Sequence, residues 1–167
     1  MVKLQRHLLF VLFVFVLAVL QTTLVPMLLP GWLHPDMLMA TVVLTGLFFQ
    51  PASGALYAFG LGYLQDLMTG SMVGLFTFDR LVIYLAGYWL AGQFYAKSAP
   101  AQAILVGMLS IFDFFLLWLL GSIFSGGESI VPSFWQVIPR SVSSAVFGLA
   151  LFFPISMIWE GGQRELG

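Results

Sequence analysis

Cysteine is absent from the chain, which removes disulfide cross-links, a thiolate nucleophile and every cysteine-type metal site. Histidine is almost absent. His7 and His34 are the whole complement, and they lie at opposite ends of the first apolar stretch. They assemble neither a metal site nor a Ser/His/Asp triad. No Gly-Lys-Ser/Thr accompanies the glycines, so there is no phosphate-cradling loop. Charge is equally scarce. Six Lys+Arg and seven Asp+Glu make up 8% of 167 residues, where a soluble domain carries roughly a quarter. That is too little to cover a globular surface in water. The net charge of −1 excludes a basic nucleic-acid binder.

Apolar residues fill the chain instead: 60% is hydrophobic, with 17 Phe, 5 Trp and 8 Met, and the mean hydropathy is +1.02. The natural solvent for such a surface is lipid. Runs such as LLFVLFVFVLAVL, from Leu8 to Leu20, show none of the alternation that a β-barrel strand needs. In lipid a helix satisfies its own backbone. Six segments are predicted: Leu8–Leu29, Met37–Phe49, Ala52–Leu64, Met72–Phe94, Ala101–Phe124 and Phe134–Trp159. The second and third are short, meet at Gln50-Pro51, and rise only about 20 Å each. Short tilted helices, a re-entrant pair and one broken helix all remain open. The fold class is therefore an all-α polytopic membrane bundle of about six transmembrane helices, one integral membrane domain over residues 1–167. The connecting loops are too short to hold a site outside the membrane.

Basic residues set the orientation. Lys3 and Arg6 precede the first segment, which runs into Gln21-Thr22-Thr23-Leu24 rather than an A-x-A site. It is expected to stay as a span and not to be cleaved as a signal peptide. With six crossings and the N-terminus inside, Lys3, Arg6, Lys97 and Arg164 are all cytoplasmic. The outer loops Pro30–Asp36, Gln65–Ser71 and Ser125–Ser133 then hold no Lys or Arg. An odd number of crossings would split the basic residues between the two sides. Both termini are expected in the cytoplasm.

Against this background a few polar residues stand out. Asp79, Arg80, Asp113 and Arg140 fall inside spans and Asp66 at a span end. Ionisable groups there cost at least about 2.5–3.5 kcal/mol each and usually face a protein interior. Helix rise puts Arg80 about 12 Å, Arg140 about 9 Å and Asp113 about 16 Å below the outer ends of their spans. The expectation is one polar cluster in the outer half, with Arg80 and Arg140 paired to Asp66, Asp79 or Asp113. Asp79 and Arg80 point about 100° apart, so they are not expected to face one partner. A ligand or ion site, a proton relay, an interhelical brace and arginines snorkelling to the headgroups are all compatible with the pattern.

A second pattern is a step of four: Gly54, Ala58, Gly62, Asp66, Gly70, Gly74. The first three make a small-xxx-small face that lets helices approach closely, within the chain or against a partner's helix. Gly70-Ser71-Met72-Val73-Gly74 reads as a turn. Trp32, Trp89, Trp118, Trp135 and Trp159 fall near predicted interfaces, Trp118 somewhat deeper, Glu128 falls in a solvated Gly/Ser loop, and Pro139 and Pro154 at possible kinks of the last span. No paired catalytic acids or Ser/His set suggest an intramembrane enzyme.

The stretch from Gly60 through Gln65-Asp66-Leu67 and Gly70-Ser71 to Gly74-Leu75, followed by Tyr84-Leu85, resembles the central signature of the rod shape-determining MreD family. Gln21-Thr22-Thr23, Pro35-Asp36-Met37-Leu38, and Asp113 with Trp118 are similar to other parts of that pattern. The resemblance covers essentially the whole chain. Asp79 and the mixed Glu160, Arg164, Glu165 tail depart from the family. The resemblance implies a non-catalytic, cofactor-free scaffold in the bacterial inner membrane that regulates cell shape and peptidoglycan synthesis. Its partners would be MreC, the wider rod complex (MreB, RodA and a penicillin-binding transpeptidase) and membrane lipid. The size and span count also resemble substrate-binding subunits of energy-coupling-factor vitamin transporters. Those carry an Ala-xxx-Ala patch on the first helix, where this chain has Ala18 alone.

Overall fold

A computed structural model of the chain describes residues 2–70, 73–93, 99–124 and 134–160. Among these residues every regular element is a helix: α1 Val2–Thr23, α2 Val25–Leu28, α3 Met37–Phe48, α4 Pro51–Thr69, α5 Leu75–Gln93, α6 Ala99–Phe124 and α7 Val137–Glu160. Three stretches are long and apolar enough to cross a membrane: His7–Leu28, Pro100–Phe124 and Val137–Met157. Lys97, Glu128, Arg164 and the loop 125–133 lie outside the described residues, as do Met72 and Phe94 at the predicted limits of the fourth segment.

The centre of the bundle is α3. Ten of its residues, from Met37 to Gly46, are buried, and it packs against α1, α4, α5, α6 and α7. A helix apolar on every side belongs inside. Its 12 residues rise about 18 Å, short of the about 30 Å hydrocarbon layer. Thr41 and Thr45 are fully buried because their hydroxyls donate back to Met37 O (2.8 Å) and Val42 O (2.7 Å).

Gln50-Pro51 separates two helices rather than kinking one. Phe49 and Gln50 are extended, as the residue before proline prefers, and Pro51 opens α4. That helix runs five residues past the predicted Leu64, so Asp66 sits within it. Pro139 falls in the first turn of α7, where it breaks no helical bond, and Pro154 lies in the helix interior.

Around α3 stand two antiparallel pairs, α4 with α5 and α6 with α7, which hold the most extensive contacts. α1 is peripheral. It buries one stripe, Phe10, Val14, Leu17 and Ala18, and presents Leu8, Leu12, Phe15 and Val19 outward. Trp32, Trp89, Trp118 and Trp135 are all exposed, as lipid-facing and interfacial tryptophans should be.

Candidate functional site

Local sequence builds the site from the N-terminal end of α3. Asp36 follows Pro35 and caps the helix, its Oδ1 accepting the Met39 N–H at 2.9 Å. The Asp36 N–H donates to Ser144 Oγ of α7 at 3.0 Å. Gln21, near the end of α1, accepts the Leu38 N–H at 3.0 Å and approaches Asp36 Oδ1 with its amide at 3.4 Å. One cap therefore ties α1 and α7 to the central helix.

Into this junction α5 sends Arg80, which is fully buried. Its planar fork is used on every side. Nε donates to Gln65 Oε1 of α4 at 2.9 Å. Nη1 donates to Asp79 Oδ2 at 2.9 Å and to Asp113 Oδ1 of α6. Nη2 meets Asp36 Oδ2 at 2.5 Å, and the guanidinium also lies over the Phe76 ring, 5.8 Å from its centroid. A single cation thus holds α3, α4, α5 and α6 together. Asp36 and Asp79 are 3% and 0% exposed and Asp113 is 7% exposed. Breaking such a pair would strand an uncompensated charge in a low-dielectric interior.

The sequence-predicted cluster is corrected in four respects. Asp79 and Arg80 meet in the same centre despite being neighbours, Arg80 Nη1 reaching Asp79 Oδ2. Asp66 is not a member. Its carboxylate accepts the N–H groups of Gly74 (2.9 Å), Phe76 (2.9 Å) and Thr77 (3.1 Å), and the Thr77 hydroxyl at 2.5 Å. It caps α5, where free N–H groups and the helix dipole favour an anion. Arg140 forms no ion pair among the described residues. It is half-buried and, with Asp113, Ser110 and Ser141, lines a cavity of about 20 Å³, room for about one water. Finally, Asp36 and Gln65 are members that sequence reasoning missed. The signal for Asp36 was an aspartate directly before an apolar helix, the N-cap pattern; nothing in the sequence singled out Gln65.

The predicted small-residue stripe divides in two. Gly54, Ala58 and Gly62 are buried in the seam between α4 and α5. A Cβ on Gly62 would lie 2.5 Å from Thr77 Cα, and one on Gly54 would lie 2.4 Å from Tyr84 Oη. Gly70 and Gly74 have φ of 62° and 103°, so they are turn glycines. Gly70 closes α4 with a left-handed residue.

Chemically, the Arg80 centre is bonded mainly within itself, with Asp79 Oδ1 buried and without a hydrogen bond. Four of the five guanidinium N–H groups donate to protein acceptors, and among the described residues no group of three or more His, Asp or Glu is placed to hold a metal ion. Comparison with protein-family models, curated proteins and solved structures gives no significant match. Fold and site together define an all-helical protein with membrane-compatible helices, organised around a buried ion-pair hub.

Proposed function

We propose that this chain is a non-catalytic scaffold of the bacterial cell-elongation machinery, resembling the MreD family. It positions peptidoglycan synthesis by binding partner membrane proteins. The observation that carries this reading is that four of the five N–H donors of Arg80 are engaged by Asp36, Asp79, Asp113 and Gln65. Most of the polar groups at this centre are spent on one another, which favours a brace over a vitamin pocket. The residues that carry the family resemblance also have concrete work in the fold. Gly62 admits the α5 backbone, Asp66 caps α5, Gly70 and Gly74 make the turn, Tyr84 donates to Pro51 O at 3.0 Å, Asp36 caps α3, and Gln21 braces that cap. A motif made of such joints specifies a frame.

In this reading α1 and α3 to α7 make six crossings of the inner membrane, with α3 crossing inside protein and both termini in the cytoplasm. The partners are MreC and, through it, MreB, RodA and a penicillin-binding transpeptidase. Affinity purification in mild detergent, with mass spectrometry of proteins and small molecules, tests it. An MreC-type single-span protein is expected to co-purify. A stoichiometric vitamin without such partners would overturn the proposal in favour of an energy-coupling-factor subunit.

A further inference from the structure

At the hub, hydrogen-bond donors fall short of acceptors. Arg80 Nη1 serves two acids at once, Asp79 Oδ2 at 2.9 Å and Asp113 Oδ1. Both carboxyls are drawn to one nitrogen, and they lie within hydrogen-bonding reach of each other. An ionised carboxyl has only acceptor atoms, so two of them at that separation repel and cannot bond. Asp79 Oδ1 has no hydrogen-bond partner, on a side chain that is 0% exposed. A buried acceptor without a donor is costly, and more so when it carries charge. The other aspartates are better served. Asp36 Oδ1 accepts the Met39 N–H and its Oδ2 accepts Arg80 Nη2. Asp66 accepts three backbone N–H groups and the Thr77 hydroxyl.

Charge leaves the same remainder. The groups that face the Asp79–Asp113 pair are Asp36 from the α3 cap, Gln65 from α4, Arg80 from α5 and Arg140 from α7. From α1 the nearest polar group at this junction is the neutral Gln21. Three carboxyls against two guanidiniums leave one negative charge over, where an uncompensated charge is expensive. One proton meets both deficits. An Asp79 carboxylic acid keeps Oδ2 as an acceptor for Arg80, turns its unpartnered oxygen into a donor for Asp113, and brings the five groups to neutrality. A metal cation fits less well. Arg80 Nη1 already lies against both acids, and no group of three His, Asp or Glu among the described residues is placed to hold one.

We propose that Asp79 and Asp113 form a proton-binding site, with one proton held as an Asp79 carboxylic acid that donates to the Asp113 carboxylate. The proton comes from solvent water and forms one O–H bond on Asp79. The cavity that Asp113 lines with Ser110, Arg140 and Ser141, with room for about one water, adjoins the pair on the α6–α7 side. The site rests on the ion-pair geometry and not on the scaffold reading.

The test is infrared difference spectroscopy of the purified full chain in detergent at neutral pH. The chain is grown with aspartate, or separately glutamate, isotopically labelled at the side-chain carboxyl carbon. A C=O band of a protonated carboxyl is expected, shifting with labelled aspartate and in deuterium oxide but not with labelled glutamate. The aspartates are Asp36, Asp66, Asp79 and Asp113 alone, and the first two already have donors at both oxygens or several at the carboxylate. Asp79→Asn is expected to remove the band and to leave the unfolding midpoint near that of the parent, because its amide donates where the acid did. Asp113→Asn is expected to remove the band too, since two acids then face two arginines. Asp36→Asn, which takes an ionised partner from Arg80, is expected to lower the midpoint more than Asp79→Asn does. Absence of the band in the parent overturns the proposal, and this reading needs no variant to fold. A band that moves with labelled glutamate, or survives both Asp79→Asn and Asp113→Asn, overturns it as well. No band together with a midpoint raised by sodium would give the site to a metal cation instead.

Discussion

Arg80→Met is the most severe single change that the structure predicts. The substitution roughly preserves apolar volume and removes the cation from a centre that contains three carboxylates, two of them, Asp36 and Asp113, contributed by other elements. Removing one partner of a buried pair costs about 3–5 kcal/mol, because the remaining charge is left unpaired. Here one arginine serves three acids, so the lower figure is a floor. For a chain of this length each kcal/mol moves the unfolding midpoint by about 2–4 °C, which predicts a drop of about 6–20 °C. The assay is thermal unfolding in mild detergent followed by circular dichroism, with an SDS titration to give the equilibrium change. Two companions separate a charge effect from a size effect. Arg80→Met with Asp36→Asn and Asp113→Asn removes two of the three stranded carboxylates, keeps an acceptor at the α3 cap, and is expected to recover more than half of the loss. Arg80→Lys is expected to recover little, because a compact ammonium cannot reach Gln65, Asp36 and Asp113 at once. A loss under about 1 kcal/mol, or a triple variant no more stable than Arg80→Met, would refute the assignment of Arg80 as the hub.

Gly62→Leu is expected to cost about 1–3 kcal/mol or more by overpacking against the Thr77 backbone, whereas Gly60→Ala, in open space, gains about 0.5–1 kcal/mol from helix propensity; matched midpoints from the two would remove the α4–α5 seam as the cause. Gly70→Ala is expected to lose about 1–2 kcal/mol in the same melts, because its left-handed backbone clashes with a Cβ. Asp66→Ala leaves the N–H groups of Gly74, Phe76 and Thr77 without their acceptor, about 1–3 kcal/mol, and amide exchange at those residues should accelerate before the rest of α5; protection equal to the parent would show that the cap is dispensable. Because the chain lacks cysteine, topology can be read with single introduced thiols. Gln50→Cys should react with an impermeant maleimide only after permeabilisation and Trp32→Cys before it, and the reverse pattern would defeat the six-crossing arrangement.

Composition and periodicity were enough for the class of molecule. A chain with 8% charge and 60% hydrophobic residues calls for helices that satisfy their own backbone bonds, and the described elements are helices, three of them long and apolar enough to cross a membrane. Pro51 after an extended Gln50, Gly70 at a helix end and the apolar run from Leu8 are likewise local facts, decided by sterics and hydrogen bonding within a few residues. The close-packing role of Gly54, Ala58 and Gly62 was also readable, because small residues four apart can only mark one helix face.

Which face, and against what, was not readable. That stripe closes on α5 within the chain, whereas Gly60 of the same helix faces open space. Cluster membership was decided at the same level. Spacing along one helix says which side chains share a face, but the Arg80 centre draws residues from four elements and includes Asp36, 44 positions away along the chain. Asp66 carries the same carboxylate as Asp113, and only the approach of the α5 N-terminus turns it into a cap. The sequence by itself determined that Asp79, Arg80, Asp113 and Arg140 fall within apolar segments, where an ionisable group calls for a partner. Tertiary structure alone chose the pairs, because pairing depends on distances across the bundle, which only the packing around α3 sets.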